Sequence, residues 1–223
     1  MRFRAIASDY DGTLADDGRV TQETVDALRR VRASGRKLIL ITGRTLADLR
    51  TVFSELSLFD LFIVENGAVL LDPALGSEEP LCASPPASFL KLLEEREIPF
   101  TVGNRVVATV RPHEIDILQL VQQMNLGLDV AFNRESVMVL PSGVDKGTGL
   151  TAALVRVGIE PAEVVGIGDA ENDLPFLRLC GFSVAVGNAI DSLKEEVDLV
   201  TRAHCGTGAT EIFDRVASGA ILP

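Results

Sequence analysis

Apolar strand-like runs that alternate with helical patterns constrain the fold of this chain most strongly. The run Arg4–Ser8 is followed by a helical pattern capped by Thr21, and the apolar run Lys37–Ile41 comes next. The alternation returns after Pro141, where another helical pattern leads to the run Val164–Gly168. Buried strands alternate with helices when a parallel sheet is covered on both faces. We therefore predict an α/β fold with a Rossmann-like parallel sheet as its core.

The middle of the chain departs from this pattern. Prolines and glycines punctuate the stretch after Asp72, which we interpret as a linker, and the residues beyond it predict a helix, a strand pair, a second helix and a second strand pair. This order is typical of an inserted α+β unit. We predict a first core part at 1–78, a small α+β cap at 79–141 and a second core part at 142–223. Hinges are expected near Leu71–Pro80 and near Pro141–Gly143.

Charge and hydropathy exclude several classes of partner. The formal net charge of −11 opposes binding to nucleic acid or to an anionic membrane. No apolar run reaches the roughly 18–20 residues that a membrane span needs. We expect a cytoplasmic protein that binds neither partner, and we leave a homodimer open. The three cysteines, Cys82, Cys180 and Cys205, lack the spacing of a metal or redox site and are expected to be structural thiols.

The candidate functional residues share one placement, because each follows a predicted strand or opens a neighbouring helix: Asp9, Asp11, Thr42, Gly43, Lys146, Asp169 and Asp173. Ligands of parallel α/β sheets bind beyond the carboxyl ends of the strands, so we expect these side chains to converge. Several carboxylates in one crevice repel one another unless a cation lies among them. Mg²⁺ prefers oxygen ligands. We predict a Mg²⁺ site with the carboxylates of Asp9 and Asp169 and the Asp11 carbonyl, and with Asp173 as a fourth residue of the metal site.

These residue types suit phosphoryl transfer, which needs in-line positioning and neutralisation of the phosphate oxygens. Asp9 is the predicted nucleophile, because a carboxylate can form an acyl phosphate that water hydrolyses. Asp11 is the predicted general acid and later the base. Asp173 is expected to orient the ammonium group of Lys146. The groups predicted to bind phosphate are Gly12, Thr42, Gly43, Lys146 and Asn172.

The motifs also resemble those of a known family. The runs Asp9–Leu14 and Ile41–Arg44, then Lys146, then Gly168–Asp173 are similar to the four ordered motifs of the haloacid dehalogenase (HAD) superfamily. The GDxxND form of the last motif and the inserted segment resemble its Cof-like branch with a type IIB cap, and most of all the archaeal-type phosphoglycolate phosphatases. The resemblance implies a Mg²⁺-dependent phosphatase. Its substrate would be a small phosphorylated metabolite, either phosphoglycolate or a sugar phosphate.

Two other functions fit the same residues. A phosphomutase of the phosphomannomutase type would keep the aspartyl-phosphate but return the phosphoryl group to a sugar. A non-hydrolytic phosphate-sensing module would also gather aspartates, a threonine and a lysine at strand ends, although it has no need of a cap. Basic cap residues are candidates for contacting the far end of a substrate: Arg105, Arg111, His113 and Arg134.

Overall fold

The strands are divided between two separate sheets. A computed structural model describes residues 2–133 and 135–220 of the chain. Within them, eight strands form one mostly parallel sheet and four strands form a second, antiparallel sheet. The predicted α/β core with a small α+β cap is therefore confirmed.

The elements follow one another in three blocks. The first core block consists of β1 (Ala5–Asp9), α1 (Gln22–Ala33), β2 (Lys37–Ile41), α2 (Leu46–Val52), β3 (Leu61–Val64), β4 (Val69–Asp72) and β5 (Ser77–Pro80). The cap consists of α3 (Ala87–Glu95), β6 (Thr101–Val102), β7 (Val107–Val110), α4 (Glu114–Met124), β8 (Leu128–Asn133) and β9 (Ser136–Pro141). The second core block consists of α5 (Lys146–Val157), β10 (Val164–Gly168), α6 (Leu174–Leu177), β11 (Phe182–Ala185), α7 (Asp191–Lys194), β12 (Leu199–Val200) and α8 (Cys205–Ser218).

The core sheet has the strand order β12-β11-β10-β1-β2-β3-β4-β5. β1 pairs in parallel with β10 on one side and with β2 on the other, so that Ser8 lies between Ile167 and Leu40. The chain moves outwards in opposite directions from these central strands. Their carboxyl ends therefore border the crevice in which α/β proteins bind ligands.

Burial explains why the central strands are almost purely apolar. Every residue of β1, β3 and β10 is buried, because helices cover both faces of the sheet. Two apolar clusters lie on opposite faces, one containing Ile6 and Leu40 and the other Ala7 and Ile39. Alternate residues of each strand thus serve different layers, as the two-residue period of a strand requires.

One part of the sequence prediction is wrong. The stretch after Asp72 is not a linker as far as Pro80, because β4 and β5 form an antiparallel hairpin that extends the core sheet. β5 has the sequence SEEP and is largely exposed, so its composition resembled a loop. Its position at the sheet edge makes charge and proline acceptable. The core sheet therefore reaches Pro80, and the chain crosses to the cap between Pro80 and Ala87.

The cap has its own apolar core. Its sheet has the order β6-β7-β9-β8, and α3 and α4 bury Phe89 and Ile117 against it. No helix in the described part of the chain combines the length and apolarity that a membrane crossing needs. Cys82 and Cys180 are free thiols, and all three cysteines are partly buried.

Candidate active site

The ammonium group of Lys146 lies between two buried carboxylates. Its Nζ is 2.6 Å from Asp9 Oδ1 and 2.5 Å from Asp173 Oδ1. The Lys146 side chain has no exposed surface, and those of Asp9 and Asp173 are almost equally buried. The expectation that Asp173 orients Lys146 agrees with this contact.

Three different elements bring these groups together. Asp9 is the last residue of β1, and Lys146 is the first residue of α5. Asp145 caps that helix by accepting a hydrogen bond from the Thr148 amide at 2.8 Å, and this fixes the start of α5. Asp173 ends the short turn between β10 and α6. Residues far apart in sequence thus meet at one edge of the sheet.

Asp169 completes an acidic cluster in the same place. Carboxylate oxygens of Asp9, Asp169 and Asp173 all lie within 4.8 Å of one another. The Thr13 hydroxyl donates to Asp169 Oδ1 at 3.2 Å. The convergence of the distant aspartates, which the motif order predicted, is therefore present in the folded chain.

Burial and charge shift the pKa values of this cluster. Desolvation raises the pKa of Asp9 well above its ordinary value, and the negative charge of Asp173 adds to the rise, whereas Lys146 opposes it. Burial alone would lower the pKa of Lys146, but the nearby charges of Asp173 and Asp9 outweigh it and raise that pKa. Lys146 is consequently a permanent cation, and the ionised form of Asp9 needs further positive charge.

The donor set fits a hard divalent cation. Three ionised aspartates with one lysine carry a formal charge of −2, which such an ion would balance. Asp9 Oδ2 is buried and has no hydrogen-bond partner among the described residues, so the side chain presents an unshared oxygen beside Asp169. Asp173 differs, because its Oδ1 contacts Lys146 and its Oδ2 accepts from the amides of Asp169 and Ala170 at 2.8 and 3.0 Å.

Asp11 lies beside this cluster in sequence but its carboxylate is bound elsewhere. Arg44 donates from Nε to Asp11 Oδ2 at 2.7 Å and from Nη2 to Asp11 Oδ1 at 2.8 Å. The Nη1 of Arg44 contacts Asp48 Oδ2 at 2.7 Å. Arg44 is the last residue of the motif Ile41–Arg44, and no role was predicted for it. Its position after Thr42 and Gly43 at the end of β2 is the signal that would have indicated one.

The predicted phosphate ligands differ in availability. Thr42 is buried just beyond β2, and its hydroxyl accepts the Arg44 amide at 3.1 Å. Asn172 is also buried, and its Oδ1 has no partner among the described residues. The amide of Gly12 is already used, because it donates to the Ala15 carbonyl at 2.9 Å. A phosphate contact from Gly12 would require that hydrogen bond to change, and the role of Gly12 stays a prediction.

The cap covers part of the site. A cavity of about 580 Å³ is lined by Asp11, Gly43 and Arg44 from the core and by Val106, Ser136 and Met138 from the cap. Gly43 is packed so closely that a Cβ there would lie 3.2 Å from the sulfur of Met138. The cap strands therefore lie directly above the end of β2.

The basic residues of the cap lie in different surroundings. Arg105 donates from Nη1 to the Ser84 hydroxyl at 3.0 Å. Arg111 lines a second cavity of about 330 Å³ together with Asn172. His113 Nδ1 lies 4.0 Å from Asp116 Oδ2 on the helix that it precedes. Arg134 lies outside the described residues.

Sequence reasoning missed two residues that shape this region. Asn188 donates from Nδ2 to the Gly12 carbonyl at 2.8 Å and accepts the Cys205 amide at 2.7 Å, which holds the loop after β1. Glu65 follows β3 and binds backbone amides of the cap. An acidic residue directly after a buried strand met the same criterion that identified Asp9, so Glu65 was detectable.

Known proteins are similar to this chain in sequence and architecture. A family model described as haloacid dehalogenase-like hydrolase matches residues 6–110 and 106–212. The chain is 34% identical to a phosphoglycolate phosphatase of Archaeoglobus fulgidus, over 93% of this chain and 94% of that protein. It is 32% identical to a phosphoglycolate phosphatase of Methanothermobacter thermautotrophicus, over 96% and 98%.

A solved structure extends the likeness to the cap. The chain superimposes on a HAD subclass IIB sugar phosphatase with a TM-score of 0.78 at 19% identity, over 96% of this chain and 98% of that one. At that identity the match supports the fold alone, including the arrangement of core and cap. With the family match, the aspartate cluster and the antiparallel cap, this chain belongs to the haloacid dehalogenase-like hydrolases, in their Cof-like, type IIB branch.

Proposed function

We propose that this chain is a magnesium-dependent phosphatase that hydrolyses a small phosphate monoester, with phosphoglycolate as the first substrate to test. The observation that carries the proposal is the buried, unshared Oδ2 of Asp9 within a cluster of three carboxylates and one lysine. The curated relatives named phosphoglycolate phosphatase support the choice of substrate.

The side chains divide the reaction between them. The Asp9 carboxylate attacks phosphorus, and the bond from phosphorus to the substrate's ester oxygen breaks. Asp11 gives a proton to that leaving oxygen and takes one from the water that later attacks the aspartyl-phosphate. Free phosphate leaves and the Asp9 carboxylate is restored. Asp11 must change its contacts with Arg44 during this cycle, because both of its oxygens are bound in the present arrangement.

The remaining groups neutralise negative charge, bind phosphate or hold the metal ion. Lys146 stays protonated and neutralises the region between Asp9 and Asp173. Thr42, Gly43 and Asn172 bind phosphate oxygens in this proposal. Asp9, Asp169 and the Asp11 carbonyl would hold Mg²⁺. Asp173 would stabilise the cluster through its contacts with Lys146 and with the Asp169 amide. When bound, the ion supplies positive charge that offsets the negative charge of the phosphate oxygens.

The test is phosphate release from a panel of monoesters with Mg²⁺ or with a chelator. Phosphoglycolate should be hydrolysed only with Mg²⁺, and Asp9→Asn should lower kcat on the order of 10⁴-fold or more because the nucleophile is lost. Full activity in Asp9→Asn would exclude this mechanism. A phosphomutase or a sensing module would release no stoichiometric phosphate, so the same assay separates those alternatives. A cytoplasmic location and a homodimer stay predictions, and sedimentation velocity of the purified chain tests the second.

A further inference from the structure

Glu65 is a core residue whose carboxylate is buried against the cap. It lies directly after β3 and is only 1% exposed. Its oxygens accept three backbone amides of the cap loop between β6 and β7, from Asn104 at 2.8 Å, Arg105 at 2.7 Å and Val106 at 3.2 Å. Hydrogen bonds to an ionised acceptor are roughly twice as strong as neutral ones. The carboxylate is therefore a firm link between core and cap.

The turn that carries this carboxylate has an unusual backbone. Glu65, Asn66 and Gly67 have φ values of 53°, 56° and 106°. The first two are left-handed without being glycine, a conformation that costs energy and persists only where the surroundings enforce it. Such strain concentrates at functional sites. The turn lies at the carboxyl end of β3, on the same edge of the sheet as the aspartate cluster.

The rest of the turn contacts the segments that carry the active site. Asn66 Oδ1 accepts a hydrogen bond from Asn172 Nδ2 at 2.8 Å, and the Asn66 amide donates to the Thr42 carbonyl at 3.0 Å. Gly67 packs so closely on the start of α5 that a Cβ there would lie 1.9 Å from the Asp145 carbonyl oxygen. One three-residue turn thus contacts the cap loop, the Asn172 turn, the end of β2 and the residue that precedes Lys146.

We propose that Glu65 is a positioning residue that seats cap loop 103–106 over the active site, and that turn 65–67 couples this seating to Asn172 and Lys146. The role rests on the proposed function, because a seated cap excludes water while phosphoryl transfer takes place. Loss of the carboxylate frees the loop without altering the aspartates that hold Mg²⁺. The cap then covers the site for a smaller fraction of the time.

Glu65→Gln tests this role with little change of shape. The side-chain amide of Gln keeps one acceptor oxygen. Its NH₂ group, however, would face a backbone N–H that needs an acceptor. Hydrogen exchange at the amides of Asn104, Arg105 and Val106 should accelerate about 10-fold or more, which is the expected loss for a bond to a charged group. Mg²⁺ affinity should stay within about 2-fold of wild type, since no cluster residue is altered.

The ratio of kcat/KM for two substrates is a measurement that general destabilisation would not change. Relative to wild type, Glu65→Gln should lower kcat/KM for phosphoglycolate about 10-fold more than for p-nitrophenyl phosphate, whose leaving group needs neither protonation nor enclosure. The matched control is Glu78→Gln, because Glu78 Oε1 accepts a hydrogen bond from the side chain of Asn104, at 2.7 Å on the exposed side of the same loop, and not from its backbone. This control should leave both exchange and substrate preference unchanged.

A second variant attacks the same contact from the cap. A Cβ at Gly103 would lie 2.6 Å from Glu65 Oε2, so Gly103→Ala should displace the carboxylate and reproduce the faster exchange. This variant decides the question if Glu65→Gln fails to fold. The proposal would be overturned if the amides of residues 104–106 exchanged as slowly as in the wild type in either folded variant. It would also be overturned if Glu78→Gln accelerated their exchange equally. If the wild type hydrolyses no monoester, the proposed function fails, while the exchange comparison still decides the seating role.

Discussion

Arg44 binds both carboxylate oxygens of Asp11, and its remaining nitrogen contacts Asp48. This bidentate pair fixes the plane of the Asp11 carboxylate at the border of the cavity between core and cap. The carboxylate that we propose as acid and base is therefore bound by Arg44 until its contacts change. Arg44, through its contact with Asp11, sets the starting geometry of that step.

Asp11→Asn should remove proton transfer while keeping the side-chain shape. We expect kcat to fall roughly 10²- to 10⁴-fold, the usual contribution of a positioned acid or base. Steady-state phosphate release measures this. Asp48→Asn is the matched control, because it removes only an exposed partner of Arg44. Such exposed pairs contribute at most about 1 kcal/mol, so kcat of the control should stay within about 5-fold of wild type. A wild-type kcat in Asp11→Asn would refute the role of Asp11.

Lys146→Met should destabilise the chelator-treated protein. Asp9 and Asp173 would remain buried without their cation, and removal of one partner from such a group costs about 3–5 kcal/mol. Adding Asp173→Asn removes one of the two stranded charges, so the double variant should recover about 1–3 kcal/mol. Urea unfolding of wild type, both single variants and the double variant measures the coupling. Strict additivity of the two changes would show that the contact contributes nothing.

Stability without Mg²⁺ should depend on pH through Asp9. Burial raises its pKa above the unfolded value of about 3.9, so the protonated form favours the folded state. This contribution is complete below the unfolded pKa and is lost as pH rises through the folded pKa. Over a pH range that begins at about pH 4, the chelated wild type should therefore lose stability relative to Asp9→Asn as pH rises. Unfolding midpoints across this range measure the difference.

Adding Mg²⁺ is the internal check on that pH prediction. A cation that binds the ionised carboxylates stabilises the folded wild type, and the gain should be largest at the alkaline end of the range. Asp9→Asn should gain much less, because one ligand is lost. Equal pH dependence in the two proteins, with or without Mg²⁺, would contradict the assignment of the shift to Asp9.

Gly67→Ala should destabilise the fold far more than an equivalent change elsewhere. The new Cβ would lie 1.9 Å from the carbonyl oxygen of Asp145. Asp145 is the N-cap of the helix that begins with Lys146. We expect a loss of at least about 3 kcal/mol in the free energy of unfolding. Gly76 also has a positive φ, of +62°, but a Cβ there would meet no atom within 4 Å. Gly76→Ala should therefore cost only about 1–2 kcal/mol of unfolding free energy. Equal thermal unfolding midpoints for the two variants would show that the close packing is not needed.

Patterns local to the chain predicted most elements. The apolar runs at Lys37–Ile41 and Val164–Gly168 coincide with β2 and β10, because strands buried on both faces need almost only apolar residues. The edge strand Ser77–Pro80 was missed, since its residues are polar and it is held by its neighbour β4. The short elements α7 and β12 were missed for a similar reason, as they are too brief to show a period.

The sequence by itself determined the class of fold, the order of the motifs and the convergence of Asp9, Asp169 and Asp173, because parallel strands bring their carboxyl ends to one edge. Only the tertiary structure decided how those groups are paired. In the folded chain the Gly12 amide donates to Ala15, Asp11 is bound by Arg44, and Glu65 accepts hydrogen bonds from the cap. These contacts depend on side-chain directions and on the packing of distant segments, and no local pattern encodes either of them.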